Sequence, residues 1–263
     1  MSAESAPTRI AHVQSRDNKL IKLIKRLATH NTAYRKQGQV WLEGDHLCRA
    51  ALLRRYKPAL AVFAESFWSA AAAAWAPRLT DVVLVPDALF EEFSSLESPA
   101  RMGFVIDMPD KGAAHRGVAS VVLDRVQDAG NVGSILRSAS AFGFRQVLAL
   151  SGTAALWSPK VLRAGMGAHF GLHLVEGLSV QDVVDLGVPL VVTSSHRGEL
   201  VHAQILPWPC AWAFGHEGQG VDDALARHAA TWCRIAQPGG EESLNVAAAA
   251  AICLYASAVS HQG

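Results

Sequence analysis

The chain has 263 residues, half of them hydrophobic and 18% charged, with 24 Lys/Arg against 23 Asp/Glu. That composition excludes a disordered or fibrous polymer, and the most apolar stretch, residues 246–255, is too short to cross a bilayer. The four cysteines (Cys48, Cys210, Cys233, Cys253) show no CxxC pair and no metal-ligand spacing. They read as reduced thiols of a cytoplasmic, metal-free protein rather than a disulfide framework, and no apolar run near the start suggests a secretory signal.

The near-neutral total hides an asymmetry. Residues 1–60 hold 12 Lys/Arg and 4 Asp/Glu, a balance of +8, which leaves −7 for the rest. Such a split points to a polyanion-binding N-terminal part. Residues 18–36 read as a basic helical segment, with Leu20, Ile21, Leu23, Ile24 and Leu27 at helical spacing and Lys19, Lys22, Lys25 and Arg26 among them. Strands are expected at 39–42, 59–64, 82–85 and 104–106, with helices over 46–56 and the Ala-rich 67–76. These make a small α/β domain over 1–106. Residues 107–117 (DMPDKGAAHRG) have linker composition.

A second domain is expected over 118–263. Its first strand, 119–123 (ASVVL), is almost wholly apolar, as in a strand covered on both faces. Further strands follow at 146–150, 172–175, 190–193, 210–214 and 231–235. Helices are expected at 133–141, 159–168, 180–186, 222–228 and 243–259. This alternation predicts an α/β fold with a mainly parallel sheet and helices on both faces.

In such sheets ligands bind at loops leaving the carboxyl ends of strands. Three of those loops are unusual. In residues 123–143 an Asp-Ala-Gly-Asn-Val-Gly turn opens a helix that carries Arg137 and Ser138; glycine lets backbone approach a ligand, and a helix start offers unpaired N–H groups. Residues 214–221 (FGHEGQGV) place three glycines around an acid, in a spacing that is neither GxGxxG nor HExxH. Residues 235–249 (IAQPGGEESLNVAAA) run from a strand end through a Pro-Gly-Gly loop into a helix headed by Ser243, Leu244 and Asn245. Each loop alone has a bland reading as a capped turn.

Together, in this order, they resemble the SpoU (TrmH) family of RNA ribose 2′-O-methyltransferases of the SPOUT superfamily. The family's DxxNxGxxxR(S/T)A pattern stands as Asp128, Asn131, Gly133, Arg137, Ser138 and Ala139. Its GxEGxG loop stands as Gly215, Glu217, Gly218 and Gly220, and its SLNV motif as residues 243–246. Residues 158–170 resemble the family's helix after the second strand. RDNKLIKLIKRL and VWLEGDHLCRAAL resemble the accessory RNA-binding domain of ribosomal-RNA members.

The resemblance implies a C-terminal trefoil knot, S-adenosylmethionine as cofactor, RNA as substrate with ribosomal RNA favoured, and a homodimer formed through the catalytic domain. It assigns Thr193, Ser194, Gly215, Gly218, Ile235, Gln237 and Leu244 to the cofactor, with Ile235 and Leu244 suited to sandwich adenine. It assigns Arg137, Asn131, Glu217, Ser243 and Asn245 to the reaction. Lys19, Lys22, Lys25, Arg26, Arg35, Lys36 and Arg163 are the implied RNA contacts. The chain departs from the usual pattern at Ala129 (Pro), His216 (Asn) and Ala236-Gln237 (Pro-Met).

Arginine keeps its proton far above neutral pH and is a poor base. Arg137 is therefore read as binding the phosphate beside the target ribose and stabilising charge on the 2′-oxygen. His216 reads as a hydrogen-bond partner within its loop. Alternatives are a transfer-RNA methyltransferase, a base methyltransferase, a non-catalytic RNA-binding protein of the same fold, and, remotely, a NAD-binding dehydrogenase.

Overall fold

The computed structural model describes residues 8–110, 112–239 and 243–261. By compactness the chain divides into two units, residues 1–109 with 157–162, and residues 110–156 with 163–263.

The first unit opens with β1 (Arg9–His12), α1 (Lys19–Thr29), α2 (Ala33–Gln37), β2 (Gln39–Glu43) and α3 (Asp45–Leu53). It continues with β3 (Leu60–Ala64), α4 (Glu65–Trp75), β4 (Asp81–Val85), α5 (Asp87–Phe93) and β5 (Met102–Asp107). The sheet order is β1-β4-β3-β5-β2; β1, β4 and β3 run parallel, and β5 pairs antiparallel with β3 and β2. Phe63, Trp75, Phe90, Phe93 and Phe104 are buried in its core.

The expected basic helix is two helices. Asn18 caps α1 by accepting from the Leu20 amide, and Ile21, Ile24, Leu27 and Ala28 form its buried face. Lys19, Lys22, Lys25 and Arg26 are exposed on α1, and Arg35 and Lys36 on α2. The chain leaves the helix at His30, where the Thr29 hydroxyl bonds back to the Lys25 carbonyl. Two elements had no counterpart in the sequence reading. β1 is a four-residue edge strand with every residue exposed, so no apolar alternation marks it. α5 is only seven residues long. β5 extends beyond the expected 104–106 because Gly103, which interrupts the apolar run, is required there: a Cβ would lie 2.3 Å from the Trp41 ring.

The second unit contains β6 (Ser120–Asp124), α6 (Ala129–Ala141), β7 (Gln146–Leu150), β8 (His173–Leu178), α8 (Val180–Val184) and β9 (Leu190–Thr193). It ends with β10 (Glu199–Leu200), β11 (Ala211–Gly215), α9 (Asp223–Ala226), β12 (Thr231–Arg234) and α10 (Val246–Val259). In the chain, α7 (Pro159–Gly165) follows β7; its residues up to Leu162 fall in the first unit and those from Arg163 in the second. Seven strands in the order β10-β12-β9-β11-β6-β7-β8 pair in parallel throughout.

β6 is buried along its whole length, as its apolar run predicted, and so are β7 and β11. Strand alternation sends Val122, Leu148, Val192, Ala211 and Ala213 into a core with Val183, Leu186 and Leu225. Trp212 faces the other way, and its indole donates to Ser257 of α10 at 3.1 Å. Helices thus cover both faces, and the mainly parallel α/β class stands. α6 begins four residues before the expected Gly133, because Asp128 caps it. α10 begins at Val246 rather than Ser243, because Asn245 is its cap. β10, two residues long, lay below what periodicity can show.

Candidate functional site

The carboxyl ends of β6, β9, β11 and β12 meet beside one another in the sheet order, so their loops surround one space. There a cavity of about 490 Å³ is lined by Thr193, Ser194, Gly215, Gly218, Ile235, Gln237 and Leu244, the seven residues expected at the cofactor, with Glu217 and Ser243 also on its wall. Ser195, His196 and Trp232 line it too, and no motif pointed to them; Val221, the last residue of the glycine-rich loop, joins them. Arg197 lies over the Trp232 ring, its guanidinium carbon 3.3 Å from the centroid, and so fixes one wall.

The second glycine motif is a closed loop. His216 and Gly220 exchange backbone hydrogen bonds of 3.0 and 2.8 Å, and Gly215 approaches Gly220 so closely that a Cβ would lie 2.1 Å from the Gly220 carbonyl carbon. His216 is indeed a partner within this loop, its Nδ1 accepting from the Gly218 amide at 3.0 Å.

One line of hydrogen bonds joins the three motifs. Asp128 caps α6 by accepting from the Asn131 amide at 2.8 Å. Glu217 reaches across from the glycine loop and accepts from the Gln127 and Asp128 amides at 3.4 and 3.2 Å, and from Asn131 Nδ2 at 3.2 Å. Asn131 Oδ1 then accepts from Asn245 Nδ2 at 2.9 Å, while Asn245 Oδ1 caps α10 by accepting from the Ala247 and Ala248 amides. Partial burial pushes the Glu217 carboxyl up. Its backbone hydrogen bond, the Asn131 side chain and the two loop amides outweigh that and hold it below the ordinary value, as an anion.

Arg137 stands apart from the cavity. It is exposed on α6, in an open groove of about 460 Å³ lined by Ser134, Ser138, Ala141 and Phe142 and by Ala247, Ala248 and Ala251 of α10. Its guanidinium makes no hydrogen bond or ion pair with a described residue. Arg163 is half-buried on α7. Gly240, within the Pro-Gly-Gly loop, lies outside the described residues.

The residues present fit S-adenosylmethionine. Ile235 and the 40%-exposed Leu244 offer apolar surface to a purine. The buried Gln237 Oε1 accepts no hydrogen bond from a described residue, which leaves an acceptor for a ligand N–H or O–H. Among the described residues, no cluster of three or more His, Cys, Asp or Glu could hold a metal, and no helix is long and apolar enough to cross a membrane.

Comparison with known proteins agrees with this geometry. The model of the SpoU rRNA methylase family matches residues 119–255. A 23S rRNA (guanosine(2553)-2′-O)-methyltransferase, RlmP, of Bacillus subtilis is 34% identical over 65% of this chain and 70% of its own. A 23S rRNA (uridine(2479)-2′-O)-methyltransferase of Streptomyces viridochromogenes is 29% identical over 68% of this chain and 67% of its own. Among solved structures, the S-adenosylmethionine-bound rRNA methyltransferase of Sinorhizobium meliloti superposes with a TM-score of 0.80 at 25% identity, covering 94% of this chain and 97% of that one. With its motifs, its parallel sheet and the match across its second unit, the chain belongs to the SpoU rRNA methylase family.

Proposed function

We propose that this protein transfers a methyl group from S-adenosylmethionine to a ribose 2′-hydroxyl of ribosomal RNA. The observation that carries the reading is the hydrogen-bonded line Glu217–Asn131–Asn245, which ties the cavity loops to the helix bearing Arg137.

The cavity would hold the cofactor, which supplies a methyl group on a positively charged sulfur. Ile235 and Leu244 would face the purine, Thr193, Ser194, Gly215 and Gly218 would admit the remainder at the backbone, and Gln237 would accept one of its donors. Arg137, left open in its groove, would bind the phosphate next to the target ribose and stabilise negative charge on O2′ as its proton passes to that phosphate or to water. Asn131, Glu217, Ser243 and Asn245 would hold the loops that bring the two groups together.

Further parts of the reading rest on family membership. The final segment would thread a trefoil knot; in its support, β9 and β12 are neighbours although β10 and β11 lie between them in the chain. Two copies would pair through the second unit, where Ile252, Tyr255 and Val259 of α10 leave apolar surface exposed. Lys19, Lys22, Lys25, Arg26, Arg35, Lys36 and Arg163 would contact RNA phosphates. Four buried free thiols suit a cytoplasmic protein.

The test is to incubate the protein with ribosomal RNA and labelled S-adenosylmethionine, then digest to nucleosides and identify the product by mass spectrometry. A 2′-O-methylnucleoside mapped to one position of ribosomal RNA is expected. A methylated base, or labelling of transfer RNA alone, would overturn the reading.

A further inference from the structure

Arg125 lies in the first of the three loops, ahead of the DxxNxGxxxR(S/T)A pattern that begins at Asp128, and its backbone is in the left-handed region, with φ of +58°. An L-residue with a side chain pays roughly 1–2 kcal/mol to sit there, whereas glycine does so freely. A non-glycine residue persists in such a conformation only when its surroundings over-determine it.

The Arg125 amide donates to Thr153 Oγ1 at 3.0 Å. Nε and Nη2 donate to the two oxygens of the buried Asp124 at 3.1 and 3.3 Å. Nη2 also pairs with Asp222 at 3.4 Å, and Nη1 donates to Gln219 Oε1 at 3.1 Å. Asp222 in turn donates its amide to Asp124 at 2.6 Å. The strained residue thus ends in a planar fork that spans from the end of β6 to the glycine loop, holding Gln219 between Gly218 and Gly220. That loop carries three glycines, and apart from Arg125 its side-chain ties to this region are Glu217, on the Gln127 and Asp128 amides and Asn131, and Asp124, on the Asp222 amide just past the loop.

We propose that Arg125 is a positioning residue: it holds the glycine loop in the shape that accepts the cofactor, and so sets cofactor affinity without touching the cofactor. The proposal rests on reading the cavity as the S-adenosylmethionine site. A planar guanidinium can serve Asp124, Asp222 and Gln219 at once, which the point charge of lysine cannot.

Two variants test it. Gln219→Leu removes the acceptor and leaves the Arg125–Asp124 pair intact, but Gln219 also lines the cavity, so Arg125→Lys, which keeps the charge and removes the fork away from that wall, carries the positioning claim. Equilibrium binding of S-adenosylhomocysteine should weaken about three- to tenfold in each, and the double variant should be no worse than the weaker-binding single one, because both break one strut. In the ligand-free protein, amide hydrogen exchange at residues 216–220 should quicken in both. Gln219→Leu should leave the melting temperature unchanged, which separates positioning from stability. Binding within twofold of wild type in both variants, or effects that simply add, would overturn the proposal while leaving the cavity assignment standing. Wild-type protein that binds no S-adenosylhomocysteine would remove the cavity assignment and this proposal with it.

Discussion

Around the cavity, Glu217, Asn131, Asn245 and Arg125 are each bonded to a neighbouring loop. Less than two turns further along α6, Arg137 faces an open groove walled mostly by serine and alanine, with Phe142 beside them. The two regions share a helix and are built on opposite plans. Where several short loops must recognise one small ligand, fixing them beforehand lowers the entropy lost on binding. A long anionic polymer needs little of that. It needs a cation not already committed to a carboxylate and small neighbours that let a sugar–phosphate backbone come close.

The sharpest way to break the fixed region is Gly215→Ala. The added methyl would sit within 2.1–2.2 Å of the Gly220 carbonyl and the Val221 nitrogen, all backbone, so no rotamer change relieves it. Overpacking of that kind costs upward of about 3 kcal/mol, so S-adenosylhomocysteine binding should fall by about 100-fold or more in calorimetry. Arg137→Ala should do the reverse. Turnover on RNA should fall by about 10²–10³-fold, the range for losing one group that stabilises transition-state charge, with S-adenosylhomocysteine affinity within about twofold of wild type. Equal losses of binding in the two variants would erase the distinction between the regions.

The first unit supplies a milder test. Replacing Lys19, Lys22, Lys25 and Arg26 by Gln removes exposed charges only, since the buried face of α1 is Ile21, Ile24, Leu27 and Ala28. If these four contact phosphates, the slope of log affinity for single-stranded RNA against log salt should shrink by about 3, with turnover at saturating RNA retained. An unchanged slope would make them a solvated face.

Much of the second unit was legible because short apolar runs flanked by turn residues leave few options: β6, β7 and β11 lie within a residue of where hydrophobicity put them. Asp128 and Asn245 could be recognised as polar residues at helix entries, but periodicity placed the helix starts several residues away, since capping is a local hydrogen bond that a hydrophobic pattern does not record. β1 was invisible for a similar reason. Arg-Ile-Ala-His pairs with β4 through backbone groups, and its exposed side chains carry no alternation. The fork of Arg125 was beyond reach, because nothing in the letters places Asp124, Gln219 and Asp222 around one guanidinium. The same holds for Trp232 and His196, whose place on the cavity wall follows from β9 and β12 lying side by side.

Because both regions rest on α6, a perturbation beneath that helix should weaken them together, and His169 provides one. It is buried in the 3₁₀ turn Ala168–Gly171 that packs against α6, with Nε2 bonded to the Leu156 carbonyl at 2.9 Å. Burial lowers its pKa to about 4, against which the Leu156 bond works only partly. In the unfolded chain the imidazole takes up its proton near pH 6.5, whereas in the folded protein it stays neutral until about 4. The unfolded state therefore binds more protons between these values. His169 contributes its full share of stability above pH 6.5 and loses it as the pH falls toward 4, by about 2 kcal/mol at pH 5. His169→Gln has no such titration, so its denaturation midpoint should fall less steeply than the wild type's between pH 7 and 5. The two pH slopes should differ, while at pH 7 the variant should match the wild type in both S-adenosylhomocysteine affinity and turnover on RNA. Parallel slopes would show that His169 does not couple acid to the helix on which both regions are built.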